Sequence, residues 1–311
     1  MTVLNSPGRI HSAKRQLTKF LYTYFPDAYL YLGPRSGFYR KLPNAYRRIA
    51  PAAFRITARQ AGFFSHFFQV LGALRFCQEN SYDLLVQFDT GPYLDVELGT
   101  NWWAYFFQES EFHFSAGRRK CATTPENIAV EHLSLFATFG AALPARIGNR
   151  LVRRFIHVAP DVRFDVETFI KEEFRGRTVY GLHYRGTDKM NEEAPRVPYH
   201  FVLEKIRECH PDVFFVASDE AEFIEFMLSN YPGRILFTDA VRSINFSAIH
   251  LNPTRSDGYC LGRQALIDCL LLSACDLLIR TESNLSNACR FFNPCLQEMN
   301  LTNAFTQSVA N

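Results

Sequence analysis

The chain has 311 residues, of which 47% are hydrophobic and 21% are charged, and its formal net charge at pH 7 is +3. This is the composition of a globular protein, and the length suits two domains of ordinary size or one large one. The small net charge argues against a nucleic-acid partner.

Secretion and membrane insertion are not predicted either. Met1 to Arg15 lacks the apolar core of a secretory signal, and no run is as long and apolar as a membrane span. We therefore expect a cytoplasmic protein. In that compartment the eight cysteines should stay reduced, and because no Cys-x-x-Cys pair occurs, a structural zinc site is not expected.

Strands and helices alternate in the first half of the chain, which favours a parallel sheet. The hydrophobic patterns predict, in order, a helix over 9–25, a strand over 54–57, a turn at Gly62, a helix over 63–79, a strand over 83–88, and helices over 126–138 and 144–157.

Two of these helices carry basic residues beside their apolar positions. The helix over 9–25 could pack on the body of the protein or lie against a surface. In the helix over 144–157, arginines recur at helical spacing on one side. They form either a solvated basic face or a patch for an anionic surface, such as the inner membrane or a lipid-linked acceptor.

Trp102 and Trp103 are the two tryptophans of the chain and stand next to each other in an aromatic stretch. Aromatic faces suit sugar rings, so this stretch either docks a sugar or belongs to the core.

The second half alternates more regularly, as is typical of a doubly wound domain. The predicted elements are helices over 165–174, 199–209, 220–230, 261–275 and 285–292 and strands over 179–183, 213–217, 235–238 and 277–279. We place the domain break between Leu151 and Arg177, which gives domains over 1–160 and 161–311.

Polar residues follow three strands of this second half, and the carboxyl edge of a parallel sheet is where such folds bind ligands. After the first strand, Arg185 offers a planar fork for a diphosphate and Lys189 a second positive charge. The alternative is that Arg185 pairs with Asp188 in solvent. After the second strand come Ser218 and Asp219, either of which could instead cap the following helix.

The third strand end, over 280–284, leads into a helix whose first N–H groups could hold a phosphate. Asp268 is a further candidate because a lone carboxylate in an apolar helix is costly without a partner. That partner is either a guanine base, with its two adjacent N–H donors, or an arginine such as Arg263 or Arg290.

These stretches occur in the order and spacing of three motifs of the GDP-fucose-using superfamily. That superfamily contains the alpha-1,6-fucosyltransferases, the rhizobial nodulation fucosyltransferases and the protein O-fucosyltransferases. The resemblance covers residues 178–294, and its motifs are His-Tyr-Arg-Gly-Thr-Asp-Lys at 183–189, Ala-Ser-Asp-Glu at 217–220, and 267–279 followed by Thr-Glu-Ser-Asn at 281–284. The first half matches only through Gly62 and the helix after it.

The resemblance implies an α/β fold of the GT-B type, in which two Rossmann-like domains face each other across a cleft. It also implies roles for single residues. His183 and Asp268 would contact the guanine, Arg185 would hold the β-phosphate, and Asn284 with Ser283 would stand near that phosphate. Gly62 would lie in a loop that faces the nucleotide sugar.

Glu193 falls at the position of the catalytic base in the alpha-1,6 enzymes, with neighbouring Glu192 as its rival. At Gly186 the chain departs from those enzymes, which have a second arginine there. We count Lys189 and Asp219 among the substrate-binding residues as well.

The chemistry of a sugar diphosphate suggests the mechanism. Donors aimed at the phosphates stabilise the charge that develops as the anomeric C–O bond breaks. Glu193 would take the proton of an acceptor hydroxyl that attacks from the opposite face, which inverts the anomeric carbon. No Asp-x-Asp pair is present to hold Mg²⁺, so we expect neither a metal nor a cofactor.

We therefore predict a metal-independent, inverting fucosyltransferase that uses GDP-fucose and a glycan acceptor in bacterial or viral surface-glycan or oligosaccharide synthesis. One alternative keeps the fold and uses another nucleotide sugar, such as a xylose or rhamnose donor. The other is a nucleotide-sugar-binding protein without catalysis.

Overall fold

A computed structural model of the chain describes residues 53–80, 82–114, 128–131, 134–186, 196–243 and 258–310. The helix predicted over 9–25 lies outside these residues. Within them the protein is a mixed α/β structure with two sheets, one of four strands and one of five.

The first sheet has the strand order β3-β2-β1-β4. Its elements are β1 (Ala53–Thr57), α1 (Phe63–Asn80), β2 (Asp83–Gln87), a short helix α2 (Trp103–Phe106), β3 (Glu111–Phe112) and β4 (Ile128–Glu131). Both β2 and β4 run parallel to the central β1, and β3 is antiparallel to β2. The predicted strand, helix and strand are confirmed, whereas α2 and β3 were not predicted.

The predicted helix over 126–138 is wrong in its first part. Residues Ile128–Glu131 form β4, and the helix, α3, spans Ser134–Ala141. A short apolar run has no periodicity that separates a strand from a helix, and here the pairing of β4 with β1 decides the outcome.

Two glycines bring α3 very close to α1. A Cβ added at Gly140 would overlap the carbonyl oxygen of Phe68, and one added at Gly72 would overlap that of Phe136. The two helix backbones are therefore in direct contact, which only glycine permits.

Two further helices join the sheets. They are α4 (Ala145–Phe155), as predicted, and α5 (Pro160–Phe169), which begins before the predicted helix over 165–174 and continues as a π-helical turn over Ile170–Phe174.

The second sheet is entirely parallel, with the strand order β7-β6-β5-β8-β9. Its elements are β5 (Val179–Tyr184), α6 (Tyr199–Ile206), β6 (Val213–Ser218), α7 (Ala221–Asn230), β7 (Ile235–Leu236), α8 (Gly258–Ser273), β8 (Leu277–Arg280), α9 (Asn284–Phe292), β9 (Gln297–Asn300) and α10 (Leu301–Ala310). The predicted alternation is confirmed, and β9 with α10 extends it by one further unit.

One apolar cluster runs through both parts of the molecule. The ring of Phe67 in α1 stacks on Phe292 of α9 at 5.5 Å, and Phe68 meets Phe291 edge to face at 5.8 Å. The Asn149 side chain of α4 donates to the carbonyl oxygen of Phe291 at 2.8 Å. A buried apolar contact with satisfied polar groups of this kind holds the two sheets in one core.

Trp102 and Trp103 belong to that core and dock no sugar. Both are buried, and their indole N–H groups donate to the carbonyl oxygens of Thr90 and Glu109, each at 2.8 Å. Of the two interpretations of this aromatic stretch, the core is therefore correct.

Candidate functional site

Arg185 lies at the point where the strand order of the second sheet reverses. The chain passes from β5 to β6 and β7 on one side and then returns to β8 on the other side of β5. At this switch point the Arg185 N–H donates to the Thr281 hydroxyl, which follows β8, at 2.8 Å. The crevice outside such a point is the usual ligand site of doubly wound sheets.

Asp219 fixes the turn that carries Arg185. Its Oδ1 accepts from the Gly186 N–H at 3.0 Å, and its Oδ2 lies 3.2 Å from the Arg185 Nη1. The Arg185 side chain is 28% exposed, so a ligand can reach the guanidinium. Asp219 thus orients the arginine, and Ser218 accepts from the Glu220 N–H, so neither side chain acts as the cap of α7.

His183 and Asp268 share the layer between β5 and α8. A Cβ added at Gly181 would lie 2.9 Å from the Leu272 side chain of α8 and 3.2 Å from the sulfur of Cys275, just after that helix. Since side chains two residues apart in a strand point the same way, His183 faces α8 too. Both His183 and Asp268 are buried, at 4% and 7% exposure. This placement agrees with a shared role toward one ligand.

Asp268 is hydrogen-bonded to a threonine, whereas Arg263, one of the two candidate arginine partners, pairs elsewhere. The Thr238 hydroxyl donates to its Oδ1 at 2.7 Å, while Arg263 pairs with Asp161 and Asp165 on α5. Burial raises the pKa of Asp268 to about 6, against the opposing effects of the Thr238 hydrogen bond and the Arg242 charge. A carboxylate held this way remains a strong acceptor for the N–H donors of a base.

The turn after β7 lies against Asp268 and was not among the predicted site elements. Arg242 donates to the carbonyl oxygens of Thr238 and Ala240 at 2.7 and 2.9 Å, and its guanidinium lies 5.3 Å from the centre of the Phe237 ring. The sequence feature that could have indicated this turn is the pair of polar residues, Thr238 and Arg242, that follows a predicted strand.

Ser283 and Asn284, at the start of α9, differ in exposure and in the contacts they make. Ser283 is buried and its hydroxyl caps the helix by accepting from the Ser286 N–H at 3.0 Å. Asn284, the first residue of α9, is exposed. Of the two, Asn284 is therefore placed to meet a ligand and Ser283 to hold the helix start.

Gly62 ends the turn between β1 and α1, at the switch point of the first sheet. Its carbonyl oxygen accepts from the His66 Nδ1–H at 3.1 Å, and the His66 Nε2 accepts from the Arg59 N–H at 3.1 Å. Burial lowers the pKa of His66 to about 4, so the ring is neutral and both of its nitrogens hold the turn.

Arg59 in this turn is, with Arg242, a second cation near the site for which no role was predicted from the sequence. Its Nη2 donates to Ser65 at 2.6 Å and its Nε to Gln69 at 3.4 Å. Its side-chain partners among the described residues are neutral, and burial lowers its pKa. A half-buried guanidinium with neutral partners only is suited to an anionic ligand.

The carboxyl edge of the first sheet touches the beginning of α8. A Cβ added at Gly258 would lie 2.5 Å from the carbonyl oxygen of Pro92, in the loop after β2. In the same loop the Tyr93 hydroxyl accepts from the Phe63 N–H at 2.8 Å, at the start of α1. The turn with Arg59 and Gly62 is thereby tied to the helix that carries Asp268.

Solved structures of fucosyltransferases superpose on this chain. Fucosyltransferase NodZ from Bradyrhizobium superposes with a TM-score of 0.56 at 17% sequence identity, over 81% of this chain and 96% of that one. NodZ alpha-1,6-fucosyltransferase soaked with GDP-fucose gives 0.55 at 19% identity, over 78% and 93%. The same enzyme co-crystallised with GDP gives 0.54 at 18% identity, over 78% and 92%.

The chain has the fold of NodZ. No family model matches the sequence, and no curated relative matches it significantly. The resemblance inferred from three motifs is therefore confirmed at the level of the fold, by structures of low sequence identity.

Two predicted site residues are not among the described residues. Lys189 and Glu193, together with Asp188 and Glu192, lie outside the described residues. Among the residues that are described, no three His, Cys, Asp or Glu side chains converge as a metal site requires, and no helix has the length and hydropathy needed to cross a membrane.

Proposed function

We propose that the protein is a glycosyltransferase that moves fucose from GDP-fucose to a hydroxyl of a glycan, with inversion and without a metal ion. The observation that carries the proposal is Arg185 at the switch point of a NodZ-like fold. Its reachable guanidinium pairs with Asp219, and its backbone N–H donates to Thr281.

The guanine of the donor would bind in the layer between β5 and α8. Its two adjacent N–H groups would meet the carboxylate of Asp268, and His183 would contact the same base. This arrangement is supported by the burial of both side chains on facing elements. Binding the base also gives Asp268 the compensation that its burial demands.

The diphosphate would then lie against Arg185 and the start of α9, with Asn284 and Lys189 beside it. As the bond between the anomeric carbon and the β-phosphate oxygen breaks, the electron pair leaves with GDP. The oxygen of the acceptor hydroxyl bonds to the opposite face of the anomeric carbon, and its proton passes to the carboxylate of Glu193. Fixed donors at the departing phosphate lower the barrier of this step.

The first half of the chain would close the site from the other side. We propose that residues 1–160 and 161–311 form two domains about a cleft, with Gly62 and Arg59 facing the nucleotide sugar. The support is the contact between the loop after β2 and the first residue of α8.

A cytoplasmic enzyme of surface-glycan or oligosaccharide synthesis, bacterial or viral, agrees with the surface of α4. Arg146, Arg150, Arg153 and Arg154 are all exposed on this helix. Such a basic face is suited to contact with the inner membrane or with a lipid-linked acceptor.

Calorimetry on the metal-free protein tests the donor site. We expect GDP and GDP-fucose to bind, UDP to bind far more weakly, and Arg185→Ala to reduce GDP affinity by about 100-fold, which corresponds to loss of a charge-assisted bidentate contact. Arg163→Ala is the matched control, because that arginine is 61% exposed on α5.

The results separate the alternatives. Equal binding of UDP and GDP would exclude a fucose donor and favour another nucleotide sugar. For catalysis, Glu193→Gln should retain GDP affinity and lose transfer of fucose to an acceptor. A wild-type protein that binds GDP-fucose and never turns it over would instead be a binding protein.

A further inference from the structure

Glu220 is a fully buried carboxylate directly beside the donor site. It follows β6 and Asp219, and its exposure is 0%. The Arg196 Nη2 donates to its two oxygens at 3.2 and 3.0 Å, and the Tyr199 hydroxyl donates to Oε2 at 2.5 Å. A buried ion pair is costly unless further hydrogen bonds complete it, and here they do.

Capping of α7 does not explain this residue. Glu220 occupies the N-cap position, where an acidic side chain would ordinarily accept from the first N–H groups of the helix. Its side chain makes no such hydrogen bond. The carboxylate points away from the helix that it precedes and toward the end of β5.

At the end of β5 the backbone of Gly186 rests on this carboxylate. A Cβ added at Gly186 would overlap Oε1 of Glu220. Gly186 follows Arg185 directly, and its N–H is bound by Asp219. The turn that presents Arg185 is thus held by Asp219 through a hydrogen bond and supported by Glu220 through direct packing.

Arg196, the ion-pair partner of Glu220, also lies close to the end of β5. The Tyr184 hydroxyl donates to the carbonyl oxygen of Val197 at 2.7 Å, and the Arg196 Nε lies 3.4 Å from that hydroxyl. Glu220 therefore ties residues 196 and 197 to the strand end that carries Arg185.

We infer that Glu220, with Arg196 as its counter-ion, is a positioning residue that sets the direction of the Arg185 guanidinium toward the donor diphosphate. The inference rests on the proposed function for the identity of the ligand. Glu220 itself touches no substrate. The position of the Glu220 carboxylate also explains why residue 186 is a glycine, because any side chain there would displace the carboxylate.

Glu220→Gln tests this inference, since glutamine keeps the shape and removes the charge that holds Arg196. We expect GDP affinity to fall about tenfold because Arg185 is displaced from its pairing with Asp219. The matched control is Glu225→Gln, the same change at an exposed position of α7, which should leave GDP affinity unchanged.

A double-mutant cycle separates positioning from general damage. In the Arg185→Ala background, Glu220→Gln should cause little further loss of GDP affinity, because its effect passes through Arg185. Equal losses with and without Arg185 would overturn the inference, as would wild-type affinity in Glu220→Gln.

A crystal structure of Glu220→Gln provides a readout that needs no ligand. We expect the distance between Arg185 Nη1 and Asp219 Oδ2 to exceed its present 3.2 Å. An unchanged distance contradicts the inference. Failure of the wild-type protein to bind GDP would instead overturn the proposed function, and this structure would still decide the role of Glu220.

Discussion

At the scale of single residues, Asp268 carries a charge that costs the folded protein stability. Its pKa is raised by burial from an ordinary 3.8 to about 6. The folded state therefore binds the proton more tightly than the unfolded state does. Above pH 6 the ionised carboxylate lowers the free energy of unfolding, and the cost disappears as the pH falls below about 4.

Asp268→Asn should raise the free energy of unfolding and lower GDP affinity. At pH 7.5 we expect the free energy of unfolding to rise by about 1–2 kcal/mol, less than the roughly 3 kcal/mol of a two-unit shift because Arg242 loses a nearby charge. The gain should shrink toward pH 4, as urea unfolding at several pH values will show. GDP affinity should fall in the variant. A variant with wild-type GDP affinity would remove Asp268 from the base site.

Arg59 invites a similar test on the first sheet. Since its partners are neutral, Arg59→Ala should change the free energy of unfolding by less than about 1 kcal/mol. If the guanidinium meets an anionic part of the donor, transfer activity should fall at least about tenfold. Gln60→Ala, at the exposed neighbouring position, is the control. Equal activities for both variants would exclude Arg59 from the site.

The sequence identified some of these residues and could not identify others. Arg185, His183 and Asp268 stand in motifs that recur in a fixed order and spacing, so they could be chosen as candidates from the sequence. Thr238 and Arg59 have ordinary neighbours in the sequence. Thr238 matters because it bonds to Asp268, and Arg59 because it bonds to side chains of α1. Only the folded chain brings these partners together.

At the scale of elements, the contact of α1 with α3 depends on two glycines. Gly140 has no space for a Cβ because a backbone carbonyl, which cannot rotate away, occupies it. Gly62, at the start of α1, has no atom within 4 Å of the Cβ position. Gly140 therefore allows two helices to pack closely, whereas Gly62 leaves open space beside the chain.

Alanine at each position should reveal the difference. Gly140→Ala should lower the free energy of unfolding by about 2 kcal/mol or more through overpacking. Gly62→Ala should leave stability nearly unchanged and, if the open space is for substrate, lower transfer activity. Thermal unfolding and initial rates measure both effects. A destabilised Gly62→Ala or a fully stable Gly140→Ala would contradict this account.

Element prediction failed where the chain gave too little local pattern. The strand β4 has four residues and takes its identity from pairing with β1. The unit of β9 and α10 follows the last predicted element, the helix over 285–292. The polar residues Gln297 and Glu298 of β9 do not form the apolar pattern by which a strand is predicted. Long periodic helices such as α1 were predicted almost to the residue.

At the scale of the whole molecule, the two sheets share one core, and Gly148 lies where they meet. A Cβ at this position would overlap the ring of Phe291 in α9. We expect Gly148→Ala to lower the free energy of unfolding by about 1–3 kcal/mol while the chain still unfolds in a single transition. Calorimetry that resolves two separate transitions would show that the halves unfold independently.

Because of this shared core, the fluorescence of the buried tryptophans can report on nucleotide binding. Trp102 and Trp103 both lie in the first half, whereas the proposed base site lies in the second. Because we expect one transition to involve both halves, GDP at about 100 times its Kd should raise the midpoint of the tryptophan fluorescence transition, through roughly 2.7 kcal/mol of binding free energy. The first half thereby becomes a built-in optical sensor of nucleotide bound to the second.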